Sequence, residues 1–309
     1  MKIIFFGSGK FAVKILETLH GGGFKVWLVV TQPDRKKGRH LRVGRTPVKE
    51  YALNNKLEIF QPEDINSPEA IDELKHKEAD IFLVVSYGRI LSENILKLPK
   101  LLPVNIHASL LPKYRGAAPI NRALMKGEKI TGITFIKMNE LMDEGDIIFQ
   151  KSLRIEPSDD AVSLDDKLST LASESLAEVI GLIGKKGFEP KKQDSNEATY
   201  APLMKKTDGL ILWKDTSKQI IGNFRGCYGW PGSYTYYKNK ILKVLSMEEA
   251  EYSQDAAPGQ ILEAKDNRLV VACGKGCIAI HEVLPESHKK MEVKSFLAGH
   301  DVKISEKLG

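Results

Sequence analysis

Short apolar segments alternate with amphipathic segments through the first part of the chain, and this alternation limits the folds that are open to it. Strands that alternate with helices form right-handed β-α-β units, which assemble a parallel sheet with helices on both faces. The sequence therefore predicts a Rossmann-like α/β domain with a doubly wound, mostly parallel sheet. Predicted strands cover residues 2–6, 25–31, 59–60, 81–85, 103–107, 131–137 and 146–153, and predicted helices cover 11–19, 47–54, 67–75, 92–98 and 163–183.

The pattern changes after the last of these helices. Residues 185–205 are polar and contain several lysines without a clear period, which is typical of a linker. Beyond them, short alternating segments separated by turn residues predict a small β-barrel with a helix at 220–225. The predicted strands cover 232–237, 240–245, 268–272 and 277–283. We therefore expect an α/β domain at 1–184, a linker at 185–205 and a second domain at 206–309.

Length and composition exclude several classes of protein. At 309 residues the chain is long enough for two domains with separate cores. No apolar run approaches the length of a membrane span and no signal peptide is evident, so we expect a cytoplasmic protein with no membrane partner. The three cysteines, an odd number, argue against a disulfide framework. Cys273 and Cys277 flank a predicted hairpin turn without a second Cys/His pair, so we expect buried thiols and no metal site.

Positive charge is concentrated in one segment. The formal net charge of the chain is +6, and the segment from Asp34 to Lys49 alone contains seven positive residues against one negative residue. Such a concentration predicts a binding site for a polyanion. The alternative interpretation is a solvated surface loop, which is what runs of charge usually form.

An amide and an imidazole side chain lie two residues apart at the end of a predicted strand. Side chains at i and i+2 of an extended segment point to the same face, so Asn105 and His107 can reach one reacting group. An amide N–H can stabilise a developing oxyanion, and histidine can move a proton near neutral pH, so the pair suits acyl transfer. The alternative is an ordinary strand end whose polar side chains only satisfy the local backbone.

The run that begins at Asn105 resembles the signature of the folate-dependent formyltransferases. It reads Asn-Ile-His-Ala-Ser-Leu-Leu-Pro-Lys-Tyr-Arg-Gly-Ala-Ala-Pro-Ile and ends at Ile120. Four further motifs resemble that family and follow its order, so the resemblance covers nearly the full chain. These motifs are Thr31-Gln32-Pro33-Asp34-Arg35, Val85-Ser86-Tyr87-Gly88, Met142-Asp143-Glu144-Gly145-Asp146 and Trp230-Pro231-Gly232.

The resemblance implies an enzyme that transfers the formyl group of 10-formyltetrahydrofolate to the amino group of methionine on initiator methionyl-tRNA. It implies catalytic roles for Asn105, His107 and Asp143, the last as the aspartate of an Asp-x-Gly motif. Taken alone, Asp143 is more typical of a turn before a glycine. The alternatives are another 10-formyltetrahydrofolate-dependent formyltransferase or hydrolase, with an amino-sugar nucleotide, glycinamide ribonucleotide or water as acceptor, and a non-catalytic RNA-binding relative. We expect a monomer.

The resemblance also implies two binding regions and an OB-type β-barrel that binds tRNA as the second domain. Arg115 is either a substrate contact or a structural anchor. The folate pocket is expected to use Ser86, Tyr87, Gly88, Arg89, Ile90, Ser109, Leu110, Leu111 and Pro112. The tRNA is expected to contact Arg35, Lys36, Lys37, Arg39, Arg42 and Arg45.

Overall fold

A computed structural model describes residues 1–37, 42–251 and 256–309 of the chain, which divides into two compact units. The first unit comprises Met1–Pro119, Ile130–Arg154 and Asp165–Ala201, and the second comprises Ile120–Lys129, Ile155–Leu164 and Pro202–Gly309. The strands up to residue 183 are β1 (Lys2–Gly7), β2 (Lys25–Val30), β3 (Arg35–Lys37), β4 (Arg42–Gly44), β5 (Ile59–Phe60), β6 (Ile81–Val85), β7 (Leu102–His107), β8 (Ile130–Lys137) and β9 (Asp146–Arg154). The helices are α1 (Lys10–Gly21), α2 (Pro47–Asn54), α3 (Pro68–His76), α4 (Glu93–Leu96), α5 (Pro119–Met125) and α6 (Ala161–Ile183).

A seven-stranded sheet forms the centre of the first unit, in the order β5-β2-β1-β6-β7-β8-β9. The strands from β5 to β7 are parallel, and β8 and β9 extend the sheet in antiparallel pairing. All five residues of β6 are buried, as expected for a central parallel strand. The predicted doubly wound, mostly parallel α/β domain is therefore confirmed.

The ends of two neighbouring strands bring the predicted site segments together. Since β6 and β7 are parallel partners, the chain leaves both strands at the same edge of the sheet. Residues 86–90 follow β6, and residues 109–112 follow β7 after a single intervening residue. This edge is where ligands bind in open α/β sheets, because the loops there diverge and leave a crevice.

Side-chain caps fix the start of two helices. The hydroxyl of Thr46 accepts a hydrogen bond from the backbone N–H of Lys49, and Pro47 is the first residue of α2. The hydroxyl of Ser67 accepts one from the backbone N–H of Ala70 at the start of α3. The predicted start of α2 at Pro47 agrees with the structure, because these two signals are local.

The positively charged segment between Asp34 and Lys49 contains two short paired strands. β3 and β4 are antiparallel, with Arg35 opposite Gly44. Lys49 is not free to bind a polyanion, because its Nζ lies 2.7 Å from Oδ2 of Asp34. This hydrogen bond, together with one from Gln61, holds the pKa of Asp34 below its ordinary value. Arg39 lies outside the described residues, and for Lys36, Lys37 and Arg42 only the backbone is described.

The residues that follow α6 remain in the first unit as far as Ala201. Lys191 exchanges two backbone hydrogen bonds with Ile147 of β9, at N···O distances of 2.7 and 2.8 Å. Tyr200 pairs in parallel with Arg115, in the segment between β7 and α5. Much of the stretch predicted as a linker therefore lies along the α/β unit, and we refer to residues 191–201 as the return segment.

A second sheet, entirely antiparallel, forms the centre of the second unit. Its order is β10-β11-β14-β13-β12, and β15 pairs with β14. The elements are α7 (Ser217–Cys227), β10 (Ser233–Tyr237), β11 (Lys240–Ala250), β12 (Ile261–Lys265), β13 (Arg268–Ala272), β14 (Cys277–Pro285), β15 (Met291–Glu292) and α8 (Val293–Gly299). Successive residues of β13 pack into separate apolar clusters, Leu269 and Val271 into one and Val270 and Ala272 into the other. The prediction that the C-terminal part of the chain forms a β domain is confirmed, and the described strand pairs of this domain form an antiparallel sheet.

β11 is longer than the sequence predicts. The prediction ended at residue 245, whereas the strand continues to Ala250. The register of β11 against β14 shifts between Val244 and Ser246 and again before Met247, so the alternation of buried and exposed residues is interrupted there.

In the described parts of the chain, no helix is long and apolar enough to cross a membrane.

Candidate active site

Three polar side chains that the sequence places in two separate motifs meet at the end of β7. Nδ2 of Asn105 donates to Oδ1 of Asp143 at 3.2 Å. Nδ1 of His107 lies 3.5 Å from Oδ2 of the same carboxylate. Both β7 side chains therefore face one carboxylate from the same side of the strand, as the i, i+2 spacing predicts. His107 is buried, with 6% of its surface exposed.

The orientation of the His107 ring follows from its second contact. Nε2 lies 2.8 Å from the backbone oxygen of Tyr114. A carbonyl oxygen can only accept a hydrogen bond, so Nε2 carries a hydrogen and donates it. The nitrogen that remains able to gain or lose a proton is Nδ1, which faces Asp143.

The Asp143 carboxylate is fixed by its backbone as well as by its hydrogen bonds. Residue 143 has a φ of +57°, in the left-handed region that aspartate and asparagine tolerate better than most residues. Oδ2 accepts a hydrogen bond from the backbone N–H of Gly116 at 2.9 Å. The loop after β7 and the turn before β9 thus meet at this carboxylate.

Arg115 is buried and paired inside the protein, which favours the structural anchor over the substrate contact among the two interpretations of the sequence. Only 2% of its surface is exposed. Its Nη1 lies 3.2 Å from Oε2 of Glu144, and its Nε and Nη2 donate to Oε1 of Gln193 at 3.2 and 2.9 Å. Sequence reasoning did not identify Gln193, because it lies 50 residues from Asp143 in a stretch without a periodic pattern.

The segment predicted to form one part of the folate pocket, residues 109–112, is held by two polar side chains from β8 and β9. The hydroxyl of Thr134 donates to the backbone oxygen of Ser109 at 2.6 Å and accepts from the backbone N–H of Leu111 at 3.1 Å. Nε2 of Gln150 donates to the backbone oxygen of Leu111 at 2.7 Å. The side chains of Ser109 and Leu111 are also buried, so the backbone of residues 109–112 is held in one conformation.

The other predicted part of the folate pocket, residues 86–90, is also tightly constrained. Ser86 and Gly88 have φ angles of +47° and +75°, and a β-carbon on Gly88 would lie 2.7 Å from Nε2 of Gln32. That nitrogen donates to the backbone oxygen of Tyr87 at 2.6 Å. The Tyr87 ring is buried edge-on against Phe6, and burial raises its pKa to about 12.

A cavity of about 340 Å³ opens beside this second segment. Its volume falls in the range of small-molecule sites, about 300 to 1,000 Å³. The lining residues are Pro33, Pro62, Glu63, Asp64, Ile65, Asn66, Tyr87, Gly88, Arg89 and Ile90. Four of the predicted folate residues therefore line a cavity, whereas residues 109–112 and the cluster at Asp143 are not part of its wall.

The predicted tRNA contacts that the structure describes lie on the surface. Arg35, the first residue of β3, and Arg45, which directly follows β4, are both exposed. In the described ranges there is no group of three or more His, Cys, Asp or Glu side chains that could hold a metal ion.

Known proteins resemble the chain along its whole length. The family model described as formyl transferase matches residues 1–180, and the model of the formyl transferase C-terminal domain matches residues 203–301. A methionyl-tRNA formyltransferase of Caldanaerobacter subterraneus subsp. tengcongensis is 44% identical over 303 residues, which is 98% of each chain. One from Citrifermentans bemidjiense is 40% identical over 309 residues, covering all of this chain and 96% of its own.

Among solved structures, the crystal structure of WlaRD, a sugar 3N-formyl transferase, has a similar fold. The TM-score is 0.68 at 19% identity, and the match covers 94% of this chain and 99% of that one. At this identity the likeness concerns the fold alone, whereas the full-length relatives define the family. The chain belongs to the methionyl-tRNA formyltransferase family of the formyl transferases.

Proposed function

We propose that this protein transfers the formyl group of 10-formyltetrahydrofolate to the amino group of the methionine on initiator methionyl-tRNA. The observation that carries the proposal is the cluster of Asn105, His107 and Asp143 in a chain that matches methionyl-tRNA formyltransferases over its full length. The proposed catalytic residues are these three.

The reaction sets two tasks for the side chains. The amino nitrogen of methionine attacks the formyl carbon, and the carbonyl electron pair moves onto oxygen. The tetrahedral intermediate collapses when N10 of the folate departs with the electrons of its bond to that carbon. One proton leaves the amine and one reaches N10, so the site has to stabilise an oxyanion and move a proton.

Asn105 is suited to the first task. An amide nitrogen carries two hydrogens, and one of those on Nδ2 is directed to Oδ1 of Asp143. This bond fixes the plane of the amide, so the second hydrogen has a defined direction before substrate arrives. A donor that is oriented in advance stabilises an oxyanion without reorganisation during the reaction.

His107 and Asp143 are suited to the second task. Nδ1 of His107, the ring nitrogen that can bind a proton, lies 3.5 Å from the carboxylate, and the hydrogen on Nε2 is held by the backbone of Tyr114. The pair can therefore accept the proton that the attacking amine loses and supply one to the departing nitrogen, directly or through water. The backbone N–H of Gly116 stabilises the carboxylate during this exchange.

Folate is proposed to bind at the edge of the sheet where residues 86–90 and 109–112 leave β6 and β7. The first segment lines a cavity of suitable size, and the second has a backbone fixed by Thr134 and Gln150. Rigid backbone N–H and C=O groups recognise a polar heterocycle well, because they are ordered before it binds. The formyl group would then approach Asn105, which stands at the end of β7.

Two regions are proposed to bind tRNA. The first is the charged segment, where Arg35 and Arg45 are exposed to phosphate groups. The second is the antiparallel unit, where Tyr234 and Tyr236 project from the same side of β10 and contact each other edge-to-face at 6.0 Å between ring centroids. Tyr236 is exposed and Tyr234 is half-buried, and tyrosine rings on a strand can stack on bases.

Measured formyl transfer to competing acceptors tests the proposal. Purified protein and 10-formyltetrahydrofolate would be combined with initiator methionyl-tRNA, free methionine, glycinamide ribonucleotide or an amino-sugar nucleotide, and with no acceptor. We expect kcat/KM to be highest for initiator methionyl-tRNA by a wide margin. Faster transfer to a small acceptor, or release of formate alone, would assign the site to another formyltransferase or to a hydrolase.

A further inference from the structure

The side-chain amide of Gln193 connects two parts of the proposed catalytic site. Its Nε2 donates to the backbone oxygens of Asp143 and Gly145, at 2.8 and 2.7 Å. Its Oε1 accepts two hydrogen bonds from the guanidinium of Arg115. A glutamine amide has two hydrogens and two lone pairs, so this one uses its full capacity inside the protein.

The amide nitrogen of Gln193 holds the turn that carries Asp143. The turn has a left-handed residue at 143. The carbonyl oxygens of residues 143 and 145 converge on a single nitrogen. The direction of the Asp143 carboxylate is set by this backbone, so a shift of the turn would move the carboxylate away from Asn105 and His107.

The amide oxygen of Gln193 holds the loop that follows β7, through its hydrogen bonds from Arg115. Arg115 directly follows Tyr114, whose carbonyl orients His107, and directly precedes Gly116, whose N–H binds the carboxylate of Asp143. A buried guanidinium is stable only when its donors are paired, and Gln193 supplies part of that pairing.

The return segment brings Gln193 to this position through its backbone. The N–H of Arg115 donates to the oxygen of Thr199 at 2.8 Å, and the N–H of Ala201 donates to the oxygen of Arg115 at 2.7 Å. A β-carbon on Gly116, which has a φ of +118°, would lie 2.8 Å from the oxygen of Ala201. The return segment and the loop are therefore in close contact along several residues.

We propose that Gln193 is a positioning residue for formyl transfer. Its amide joins the turn at 143–145 to Arg115 and thereby fixes the Asp143 carboxylate relative to Asn105 and His107. Gln193 acts through these contacts and does not touch the substrate. This inference rests on the proposed function, because it assigns Gln193 to the reaction at that same cluster.

Two substitutions of similar size disrupt the hydrogen bonds of the Gln193 amide. Gln193→Glu keeps an acceptor for Arg115 but places a carboxylate oxygen against the two carbonyl oxygens, so it releases the turn. Gln193→Met removes the hydrogen bonds of both the amide nitrogen and the amide oxygen. Lys192→Ala is the matched control, since Lys192 is the exposed neighbour in the same segment.

We expect Gln193→Glu and Gln193→Met to lower kcat about 10- to 100-fold, because a small misplacement of a reacting group has an effect of that size. KM for both substrates should stay within about threefold of the unsubstituted protein, since no substrate contact is lost. The pH profile of kcat should also change in both variants, because the His107–Asp143 pair is displaced. Lys192→Ala should match the unsubstituted protein in all three measurements.

A spectroscopic measurement makes the test independent of turnover. The ring nitrogen resonances of His107, assigned by comparison with His107→Asn, should move in both Gln193 variants and not in Lys192→Ala. The positioning role is refuted if His107 resonances and kcat are unchanged in both folded variants. It is also refuted if activity falls only in proportion to the folded fraction, with an unchanged pH profile. If the unsubstituted protein does not formylate methionyl-tRNA, the proposed function fails, and the His107 resonances alone then decide on the contact.

Discussion

Gly145 approaches the backbone oxygen of Lys137 so closely that a β-carbon at residue 145 would overlap that oxygen. The oxygen belongs to β8 and cannot rotate away, so a side chain at 145 would force the turn of Asp143 to shift. We expect Gly145→Ala to lower kcat/KM about 100-fold through misplacement of the carboxylate. We also expect a lower free energy of unfolding, by about 1 to 3 kcal/mol.

Gly181→Ala is the matched control for that substitution. Gly181 lies inside α6, and a β-carbon there meets no atom within 4 Å. Alanine should therefore stabilise the helix by up to about 1 kcal/mol and leave formyl transfer unchanged. Thermal unfolding and initial-rate kinetics on both variants check the pair. Equal activity of Gly145→Ala and Gly181→Ala would mean that the turn does not need its observed shape.

The hydrogen bond between Asn105 and Asp143 predicts that their substitutions are not additive. Asn105→Ala and Asp143→Asn should each lower kcat about 10² to 10⁴-fold, through loss of an oxyanion donor and of a proton acceptor. Asparagine is the better replacement at 143, because it tolerates the left-handed backbone that alanine would strain. The double variant should be less impaired than the product of the two single losses.

A four-member kinetic cycle measures this coupling. Each variant is compared with the unsubstituted protein at saturating 10-formyltetrahydrofolate and initiator methionyl-tRNA, after circular dichroism has shown that it is folded. Losses that multiply without any coupling would mean that the two side chains act independently. Near-normal turnover in both single variants would remove the cluster from the reaction.

Asp165 gives the protein a pH-dependent stability that is separate from catalysis. Burial, reinforced by the negative charge of Asp166, raises the pKa of the Asp165 carboxyl from 3.8 to about 6. Between these values the folded protein binds more protons than the unfolded chain, so stability falls as pH rises from about 4 to 6. Asp165→Asn should remove this loss and stabilise the protein at pH 7, but not at pH 3.5.

The expected gain at pH 7 is about 1 to 2 kcal/mol, less than the shift alone would give because the side chain is only partly buried. Denaturant unfolding at pH 3.5, 5 and 7 measures it. Glu174→Gln, at an exposed position of α6, is the control and should change the free energy of unfolding by less than about 0.5 kcal/mol. A gain that is the same at all three pH values would contradict the titration of Asp165.

Arg45 and Lys49 should behave differently although the sequence places both in one charged segment. Arg45 is exposed, whereas the ammonium of Lys49 is engaged by Asp34. Arg45→Ala should weaken tRNA binding and reduce the slope of log K against log salt concentration by about one. Lys49→Ala should change binding less and cost up to about 1 kcal/mol of stability. Filter binding at several salt concentrations tests this, and equal slopes for both variants would contradict it.

The sequence predicted those parts of the fold that depend on local signals. The start of α2 follows from Thr46 and Pro47, and the bounds of β6 follow from an unbroken apolar run. The meeting of Asn105 and His107 on one face of β7 follows from the period of a strand. These features need no information from distant residues.

The features that the sequence did not predict depend on distant partners or on weak local patterns. β3 consists of charged residues and β4 contains an arginine and a glycine, neither of which is typical of strands, and the two strands form by pairing with each other. Helix α5 begins at Pro119 inside a stretch of small residues and glycine that resembles a loop. Gln193 has no local signal at all, because its partners are the backbone of a turn 50 residues away and an arginine.

The return segment has a consequence for the order in which the protein is made. A nascent chain that has been completed only to Ile183 contains every strand of the first sheet and all three proposed catalytic side chains. It still lacks Gln193 and the backbone groups of Thr199 and Ala201 that hold the loop of Arg115. The proposed catalytic site is therefore complete only after residues 193–201 have been synthesised, because these residues hold the turn of Asp143 and the loop of Arg115.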